Sequence, residues 1–362
     1  MSHNIFITGG AGFIGSRLVF ALLENEPNSR IWVFDNLHPQ VHGEHARPPL
    51  FPDEVTFIEG DIVDKSFLKG VVAQVRPELI FHLAAETGTG QSHGEVSRYC
   101  DVNVVGTANL IESIREQGGD FTKKIVLSAS RAIYGEGAYR DMYGKVFTGL
   151  PRITERMAKG DFSVPLPDEA QHPVSPHPSI ASLSPAPASV YASTKLMQEL
   201  LLKQSGEGSA WNTTILRFQN VYGPGQSLLN PYTGVLSIFA KQLLEGKVLD
   251  IYEDGLIARD FVYVDDVVNS LVKAGQADLV HGATMDIGSG KAVTILEVAR
   301  LLMKFLECSD ESYKITGQFR AGDIRHACAD ISAAAQNLGW CPQVDLETGI
   351  AHLSNWARTE FK

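Results

Sequence analysis

Apolar positions in the first half of the chain fall in short runs that alternate with segments of helical periodicity. The runs are rich in β-branched or aromatic residues and are bounded by Gly, Asp or Asn, which is typical of strands buried on both faces. The predicted strands are Asn4–Thr8, Arg30–Phe34, Val55–Ile58, Leu79–Leu83 and Lys124–Ser128. The predicted helices between them include Phe13–Glu24 and Arg98–Gln117. This alternation predicts an α/β fold with a doubly wound parallel sheet.

The second half of the chain departs from this alternation. Residues 135–188 have few periodic apolar positions, and seven prolines fall between Pro165 and Pro187. Long irregular loops in compact domains are usually functional or disordered, so we interpret this segment as an insertion near an active site, with disorder as the alternative. A helix is predicted for Ser189–Gln204 and a strand for 213–218.

These patterns predict two regions. Residues 1–220 form the main domain, which includes the irregular insertion at about 135–188. Residues 221–362 form a smaller C-terminal α/β region, and we expect about 259–281 of it to return to the main sheet.

Composition excludes several classes of protein. The 362 residues are 44% hydrophobic and carry a formal net charge of −11, which argues against nucleic acids or anionic membranes as partners. The cysteines (Cys100, Cys308, Cys328 and Cys341) are scattered without a C-x-x-C pair, so we expect neither a disulfide framework nor a metal site. No targeting or membrane-spanning segment is recognised, and a reducing cytoplasm is the expected location.

Three glycines, Gly9, Gly12 and Gly15, connect the first predicted strand to the first predicted helix. In a dinucleotide-binding turn they permit a tight turn, close approach of a pyrophosphate and helix–strand packing, and the helix N-terminus attracts the phosphates. Asp35 ends the second strand about 20 residues later, where a carboxylate accepts the ribose hydroxyls of adenosine. The spacing predicts a Rossmann-type site for NAD, and the acid disfavours the 2′-phosphate of NADP.

A second group of residues predicts acid–base chemistry. Tyr191 and Lys195 share one face of a predicted helix, and nearby positive charge lowers the pKa of a phenol. Ser130 follows the fifth strand, at the carboxyl edge where ligands bind in such sheets. A lone Tyr-x-x-x-Lys is common on surfaces, so it is the combination with Ser130 and the glycine turn that favours catalysis. We interpret His82 as a core histidine.

Taken in order, these motifs resemble those of the extended short-chain dehydrogenase/reductases, which act on nucleotide sugars. The motifs are T-G-G-A-G-F-I-G, Asp35-Asn36, Gly60-Asp61, His82-Leu-Ala-Ala, Ser130 followed by Tyr134-Gly135, Tyr191-x-x-x-Lys195 and Arg259-Asp260-Phe-Val. The resemblance implies that Tyr191 transfers the proton, that Lys195 binds the nicotinamide ribose and tunes Tyr191, and that Ser130 bonds the reacting sugar oxygen. The NAD-binding residues it implies are Gly9, Gly12, Phe13, Ile14, Gly15, Asp35, Asn36, Asp61, Ile62, Leu83, Ala84, Ala85, Asn103, Tyr191 and Lys195.

The resemblance also implies where the substrate, a nucleotide-diphosphate sugar, is held. The expected substrate-binding residues are Glu86, Thr87, Ser130, Asn220, Arg259, Arg320 and Asp323. The two arginines would hold phosphates as charged donors, and Asp323 would accept from a nucleotide ribose. Surface ion pairs are the alternative for these residues, and for Glu86 exposure to solvent is equally open. A homodimer formed through Arg98–Gln117 and Ser189–Gln204 is implied as well.

The residues after Ser130 bear on the reaction. Ser130-Arg131-Ala132 stands where the dehydratases of this family carry Thr-Asp-Glu, and the Glu of the decarboxylases is also missing. The resemblance therefore implies 4-epimerisation with tightly bound NAD. The strings Glu86–Ser92 and Gln226–Gly234 resemble the branch that acts on dTDP-L-rhamnose. A UDP-hexose 4-epimerase and a nucleotide-sugar reductase stay open, whereas a non-enzymatic NAD-binding regulator is disfavoured because Tyr191 and Lys195 are both present.

Overall fold

The computed structural model describes residues 3–43, 46–228, 230, 234–320 and 322–361. The strands in this part of the chain are β1 (Asn4–Thr8), β2 (Arg30–Asp35), β3 (Val55–Glu59), β4 (Leu79–His82), β5 (Lys124–Ser130), β6 (Ala138–Arg140), β7 (Val146–Thr148), β8 (Ser175–His177), β9 (Asn212–Phe218), β10 (Asn220–Tyr222), β11 (Leu249–Ile251), β12 (Ala258–Tyr263), β13 (Ala283–Ile287), β14 (Ala292–Thr294) and β15 (Tyr313–Ile315).

The α-helices of the same residues are α1 (Phe13–Asn25), α2 (Pro39–His42), α3 (Lys65–Val75), α4 (Thr89–Ser92), α5 (Val96–Tyr99), α6 (Gly106–Glu116), α7 (Thr154–Met157), α8 (Val190–Gly206), α9 (Val235–Leu244), α10 (Val264–Gln276), α11 (Ile295–Leu306), α12 (Ser332–Leu338) and α13 (Leu346–Glu360). A π-helical stretch (Cys100–Val105) joins α5 to α6, and a 3₁₀ turn (Arg131–Tyr134) follows β5. None of the helices described is long and apolar enough to cross a membrane.

The main sheet has seven strands in the order β3-β2-β1-β4-β5-β9-β13, and every neighbouring pair is parallel. Apart from the edge strand β3, which is partly exposed, its strands are mostly buried because helices cover both faces, which explains their continuous apolar sequences. The predicted α/β fold with a Rossmann-type sheet is confirmed. The predicted helix Arg98–Gln117 corresponds to α5, the π-helical stretch and α6.

The proline-rich insertion is folded onto the rest of the molecule. Strands β6, β7 and β8 form a small antiparallel sheet within it. Backbone hydrogen bonds connect Ser179 to Cys328 and Asp330, and connect Ala186 to Ile133 in the turn after β5. The insertion therefore lies beside the carboxyl end of β5, as expected for a segment near an active site.

The expected range of about 259–281 returns to the main sheet through helix α10, which packs on β4, β5 and β9. Residues Ala258–Tyr263 (β12) pair with β10 and β14 in a separate sheet, and the amphipathic helix α10 packs against α1. The strand that joins the main sheet is β13 (Ala283–Ile287), beyond the expected range of about 259–281. The residues between β12 and β13 have helical rather than strand periodicity, so this range covers the sheet and does not extend it.

Candidate functional site

The glycine turn fits closely between β1, α1 and the end of β4. Gly9 has φ of 70°, and a Cβ atom there would lie 2.6 Å from the Ala84 backbone nitrogen. A Cβ at Gly15 would lie 2.5 Å from the Gly9 carbonyl oxygen, whereas a Cβ at Gly12 would lie 3.4 Å from the same oxygen, an ordinary contact. Gly12 is the N-cap of α1, and no side chain caps this helix end. The turn thus presents bare backbone N–H groups to a cavity beside it.

Asp35 lies at the end of β2 and is held by the same turn. Its carboxylate accepts hydrogen bonds from the backbone N–H of Ala11 at 3.0 Å and of Leu37 at 2.9 Å. The His42 ring, which the sequence did not single out, lies 3.8 Å from the Asp35 carboxylate, and burial lowers the pKa of His42. Asp35 is therefore fixed with its carboxylate at the wall of the cavity.

The side chains of Asn36 and Asp61 extend the cavity wall beyond Asp35. The Asn36 amide donates to the Asp61 carboxylate at 2.9 Å, and Asp61 also accepts from the backbone N–H of Val63. Ile62 is buried against Gly106, where a Cβ would approach its side chain to 2.6 Å. Asn36, Asp61 and Ile62 thus form one continuous surface beyond Asp35.

The larger cavity at this edge of the sheet measures about 360 Å³. It brings together all but one of the residues expected to contact the cofactor or the reacting centre. Those on its wall are Gly9, Gly12, Phe13, Ile14, Gly15, Asp35, Asn36, Asp61, Ile62, Leu83, Ala84, Ala85, Glu86, Thr87, Ser130, Tyr191 and Lys195. Such a size and such convergence of polar groups are typical of a small-molecule site.

The remaining expected cofactor residue, Asn103, lies behind the cavity wall. It is fully buried in the π-helical stretch, and its amide bonds both backbone groups of Glu86. Asn103 also donates to the Thr194 hydroxyl on α8 at 3.0 Å. In this position Asn103 fixes the Glu86 backbone relative to α8, and the π-helical stretch places it there.

Tyr191, Lys195 and Ser130 meet where the larger cavity opens into a second, smaller one. Helix α8 begins with Ser189 as N-cap, whose hydroxyl accepts from the Ala192 N–H, so Tyr191 lies in the first helical turn and Lys195 in the next. Ser130 ends β5, and its hydroxyl oxygen accepts from the Ala132 N–H. Ser130 and Tyr191 line both cavities, so a molecule entering either one reaches them.

Lys195 is buried and has no carboxylate partner within ion-pair distance among the described residues. Its ammonium donates to the Ser128 carbonyl and to the Gln198 side chain, each at 2.6 Å. Burial lowers the pKa of Lys195 to about 7, although the charge of Glu199 opposes this shift. Burial also raises the pKa of Tyr191, and this increase is opposed by hydrogen bonding with Ser130 and by the positive charge of Arg131.

His82 is a hydrogen-bonded core residue, as the sequence indicated. Its ring bonds the Thr8 hydroxyl at 2.8 Å and the Thr107 hydroxyl at 2.9 Å. Burial and the nearby charge of Lys195 lower the pKa of His82 to about 3, so the ring is neutral. Gln198 bonds both Thr107 and Lys195, and His82 therefore supports Lys195 without contacting either cavity.

Glu86 is paired with a cation. Its carboxylate accepts from Arg98 at 2.8 Å, and Arg98 also bonds Glu95 and Gln40. Gln40, which lines the larger cavity, exchanges hydrogen bonds of 2.8 and 2.9 Å with Gln91. Sequence reasoning missed this polar group, because its members come from separate helices and carry no common motif.

The expected substrate residues are distributed around the smaller cavity and beyond it. Asn220 lines this cavity, and its buried side-chain oxygen has no hydrogen-bond partner among the described residues. The adjoining Gln219, which sequence reasoning did not identify, has an equally unpartnered oxygen. Both amide oxygens are available to accept hydrogen bonds from a bound molecule.

The two arginines expected to bind phosphates, Arg259 and Arg320, differ in burial and in their neighbours. Arg259 is buried and lies 3.5 Å from the Asp323 carboxylate. Arg320 is exposed and stacks on the Tyr252 ring, with 4.9 Å between its guanidinium and the ring centre. Arg259 and Asp323 thus form one group, whereas Arg320 lies apart.

Ala321, between Arg320 and Asp323, lies outside the described residues, as do Leu229 and 231–233 of the string Gln226–Gly234.

A buried ion network connects the insertion to Asp323. Arg152 bonds Glu136 at 3.0 Å and Glu253 at 2.7 Å, and it donates to the Asp323 backbone carbonyl at 2.7 Å. Arg325 bonds Glu253 from the other side. The insertion therefore supports the part of the chain that carries Asp323, a role that its proline-rich sequence does not reveal.

Comparison with known proteins assigns the chain to a family. The model of the NAD dependent epimerase/dehydratase family matches residues 5–149 and 166–288. The chain belongs to this family. The residues left unmatched between these ranges lie within the insertion.

Relatives at 30% identity or more include proteins named as 4-epimerases. The dTDP-L-rhamnose 4-epimerase of Burkholderia thailandensis is 40% identical over 99% of this chain and 96% of its own length. The UDP-glucose 4-epimerase of Mycolicibacterium smegmatis is 31% identical over 98% of both chains. The crystal structure of the Thermotoga maritima UDP-glucose 4-epimerase with UDP-glucose has a TM-score of 0.79 and 30% identity, covering 99% of this chain and 100% of that one.

The cofactor of the family is NAD, and the residues of this chain fit it. The glycine turn leaves no room for side chains at Gly9 and Gly15, and it keeps the N-terminus of α1 open for a pyrophosphate. Asp35 is oriented for ribose hydroxyls, and its charge opposes a 2′-phosphate. Lys195 and Tyr191 line the same cavity as the glycine turn and Asp35.

Proposed function

We propose that this protein is an NAD-dependent nucleotide-sugar 4-epimerase whose substrate is a dTDP-6-deoxyhexose, in the first place dTDP-L-rhamnose. The observation that supports this most directly is the junction of the two cavities, where Ser130 and Tyr191 face both and Lys195 lies one helical turn away. A sugar in the smaller cavity would meet the acid–base residue and the cofactor at the same point. The expected roles of the individual site residues are part of this proposal.

The absence of an acid favours epimerisation over dehydration. Among the described residues that line the smaller cavity, none is Asp or Glu, and Arg131 follows Ser130 directly. The carboxylate of Glu86, which lines the larger cavity beside Thr87, is already paired with Arg98. Loss of a hydroxyl group as water needs a placed acid, so the site favours a reaction that keeps every hydroxyl of the sugar.

A bound NAD supplies an acceptor for the hydride at C4 of the sugar and can return it to the same carbon. The chain's own residues move the proton and hold the sugar. Tyr191 removes the proton of the C4 hydroxyl and later returns it, and Ser130 donates a hydrogen bond to the same oxygen. Inversion requires the sugar to present its other face between the two transfers.

The walls of the smaller cavity suit a 6-deoxy sugar. Thr87, Thr89 and Asn220 offer polar contacts for hydroxyl groups, while Val235, Leu236 and Phe261 offer an apolar surface for a methyl group at C5. The relative from Burkholderia thailandensis is named for dTDP-L-rhamnose, and it supports the same choice. Relatives named UDP-glucose 4-epimerases make a UDP-hexose the second candidate.

We also propose that the enzyme is a cytoplasmic homodimer assembled through the helical stretch from α5 to α6 and through α8. These elements pack against each other and expose Val96, Val105, Met197 and Leu200. Exposed apolar side chains on adjoining helices mark a surface suited to a second copy. The four free cysteines fit a reducing compartment. Light scattering of Met197→Glu and Leu200→Glu variants tests the dimer, which should dissociate.

The reaction is tested by incubating the protein with dTDP-L-rhamnose in deuterated water and analysing the product by NMR and mass spectrometry. We expect an isomer of unchanged mass, inverted at C4, without deuterium on carbon and without added cofactor. A product lighter by one water, or deuterium at C3 or C5, would contradict 4-epimerisation. A requirement for added NADH with net reduction would indicate a reductase. Inversion of a UDP-hexose alone would keep the chemistry and change the substrate.

A further inference from the structure

Gln219 is a buried glutamine whose side-chain amide makes no hydrogen bond within the described part of the chain. The residue is 5% exposed, and its amide oxygen is buried without a partner among the described residues. The other buried glutamines of the same residues each bond neighbouring groups; they are Gln91, Gln198 and Gln226. A buried amide without a partner is unfavourable for folding, so this group indicates a partner that a bound molecule supplies.

The neighbouring strand holds Gln219 in place between β9 and β10. Its backbone N–H donates to the carbonyl of Ile287, the last residue of β13, at 2.9 Å. At the next residue, a Cβ on Gly288 would lie 2.8 Å from the Gln219 Cγ atom. Gly288 therefore leaves the space that the stem of the Gln219 side chain occupies. The backbone bond and this packing fix the residue without using its amide.

Gln219 lies where the two cavities of the site meet. The residues that line both cavities are Thr87, Ser130, Tyr191, Phe218, Gln219 and Val221. Ser130 and Tyr191 are assigned to the oxygen on C4 of the sugar, Thr87 is exposed, and the other two neighbours are apolar. Gln219 is therefore a buried polar residue at the junction that the proton transfer does not use.

The chemistry of the sugar decides which of its groups can meet this amide. In a 6-deoxyhexose, C4 lies between C3, which carries a hydroxyl group, and C5, which carries the methyl group and the ring oxygen. A carbonyl oxygen needs a hydrogen-bond donor, and of these two neighbours of C4 only C3 carries one. The apolar wall of Val235, Leu236 and Phe261 suits the C5 side. A sugar with its C4 at the junction thus offers its C3 hydroxyl group to Gln219.

We propose that Gln219 is a specificity-determining residue whose side-chain oxygen accepts a hydrogen bond from the C3 hydroxyl group of the sugar. The proposal rests on the proposed function, in which C4 reacts beside Ser130 and Tyr191. A site that buries an amide for a substrate hydroxyl discriminates against the analogue without that hydroxyl, because the amide is then left unpaired. Gln219 therefore makes the enzyme selective for sugars that are hydroxylated at C3.

The contact is tested with dTDP-L-rhamnose and with its analogue that lacks the C3 hydroxyl group. For both sugars, kcat/KM is measured on the wild-type holoprotein and on Gln219→Met, which keeps the length of the side chain and removes the amide. We expect the wild-type protein to favour dTDP-L-rhamnose by about tenfold or more, and the ratio to fall about tenfold in Gln219→Met, the effect of one hydrogen bond. Gln219→Leu is a second variant of this kind. Gln74→Met, at an exposed position of α3, should leave the ratio unchanged.

The ratio is taken within each protein, so a smaller folded fraction of a variant does not alter it. An unchanged ratio in both variants would overturn the proposal, and so would equal use of the two sugars by the wild-type protein. NAD affinity, measured by calorimetry, should stay close to that of the wild type. A loss of NAD affinity with an unchanged ratio would mean that the amide bonds the cofactor instead of the sugar.

The same measurements separate this role from the reaction. A wild-type protein that does not epimerise dTDP-L-rhamnose would refute the proposed function and the role of Gln219 with it. Normal epimerisation with an unchanged ratio in the variants would refute the role of Gln219 alone.

Discussion

Asn103 holds the backbone of Glu86 through both ends of its amide group: its side-chain oxygen accepts from the Glu86 N–H at 2.7 Å, and its nitrogen donates to the Glu86 carbonyl at 3.1 Å. The residues at the end of β4 thereby keep their places on the cavity wall. Asn103 is fully buried, so water cannot replace either hydrogen bond, and both bonds need a side chain that accepts with one atom and donates with another.

Replacement of Asn103 by Asp should therefore weaken both the fold and NAD binding. The new oxygen cannot donate to the Glu86 carbonyl or to Thr194, and a buried polar group without its partner costs about 1–3 kcal/mol, more if it is charged. Urea denaturation measures the loss of stability, and calorimetry measures NAD affinity. Asn25→Asp, at an exposed position near the end of α1, is the matched control. An Asn103→Asp protein with wild-type NAD affinity would contradict the positioning role.

Asp35 should determine the choice between NAD and NADP. Its carboxylate is held by Ala11 and Leu37 at the cavity wall, where it can accept ribose hydroxyls and repel a 2′-phosphate. We expect the wild-type protein to bind NAD more tightly than NADP. The Asp35→Asn variant should bind NAD more weakly, and the difference between its affinities for NAD and NADP should be smaller. Calorimetry with both cofactors on stripped protein checks this. Equal affinity of the wild-type protein for the two cofactors would exclude the proposed role.

Arg152 should contribute strongly to stability although it belongs to the irregular insertion. Its side chain is 2% exposed and bonds two buried carboxylates. Removing one partner from a buried ion group costs about 3–5 kcal/mol, so Arg152→Met should lower the free energy of unfolding by an amount in this range. KM for the sugar should rise as well, because the Asp323 carbonyl loses its donor. The control is Arg156→Met in the same insertion, whose exposed pair with Asp161 should contribute less than about 1 kcal/mol.

The sequence predicts a site residue well when the residues that surround it in the structure are close to it in sequence or follow from the order of the strands. The glycine turn, Asp35 and the Tyr191–Lys195 pair lie at strand ends or on one helix face, so their neighbours follow from the order of the sheet. The partners of Arg152 come from Glu136 and from Glu253, which is 101 positions away, and no periodicity connects them. The same reason hides the surroundings of Gln219. For Arg320 the phosphate contact that its motif predicts stays a prediction, and the stacking of its side chain on Tyr252 could not be predicted from the sequence.

His82 should make the protein less stable in mild acid. Its pKa is about 3 in the folded protein against 6.5 in the unfolded chain, so below pH 6.5 the unfolded state binds a proton that the folded state does not. Stability therefore falls as the pH decreases from 6.5, by about 2 kcal/mol down to about pH 5 from this group alone. Unfolding free energies measured across this range should show the slope, and His82→Gln should reduce it by about one proton. The exposed His93→Gln serves as control, and an unchanged slope in His82→Gln would refute the assignment.

Tyr191→Phe should abolish most turnover without disturbing the cofactor. The substitution keeps the ring in its edge-on contact with Tyr99 and removes only the hydroxyl that faces both cavities. Loss of a general acid–base group typically reduces the rate about 10²–10⁴-fold, so kcat should fall within this range while NAD affinity stays close to that of the wild type. Steady-state kinetics with the sugar nucleotide and calorimetry with NAD make the two measurements. Tyr143→Phe, at an exposed position in the insertion, controls for the chemical change itself. Near-normal turnover of Tyr191→Phe would refute the mechanism, because no other phenol of the described chain lines both cavities.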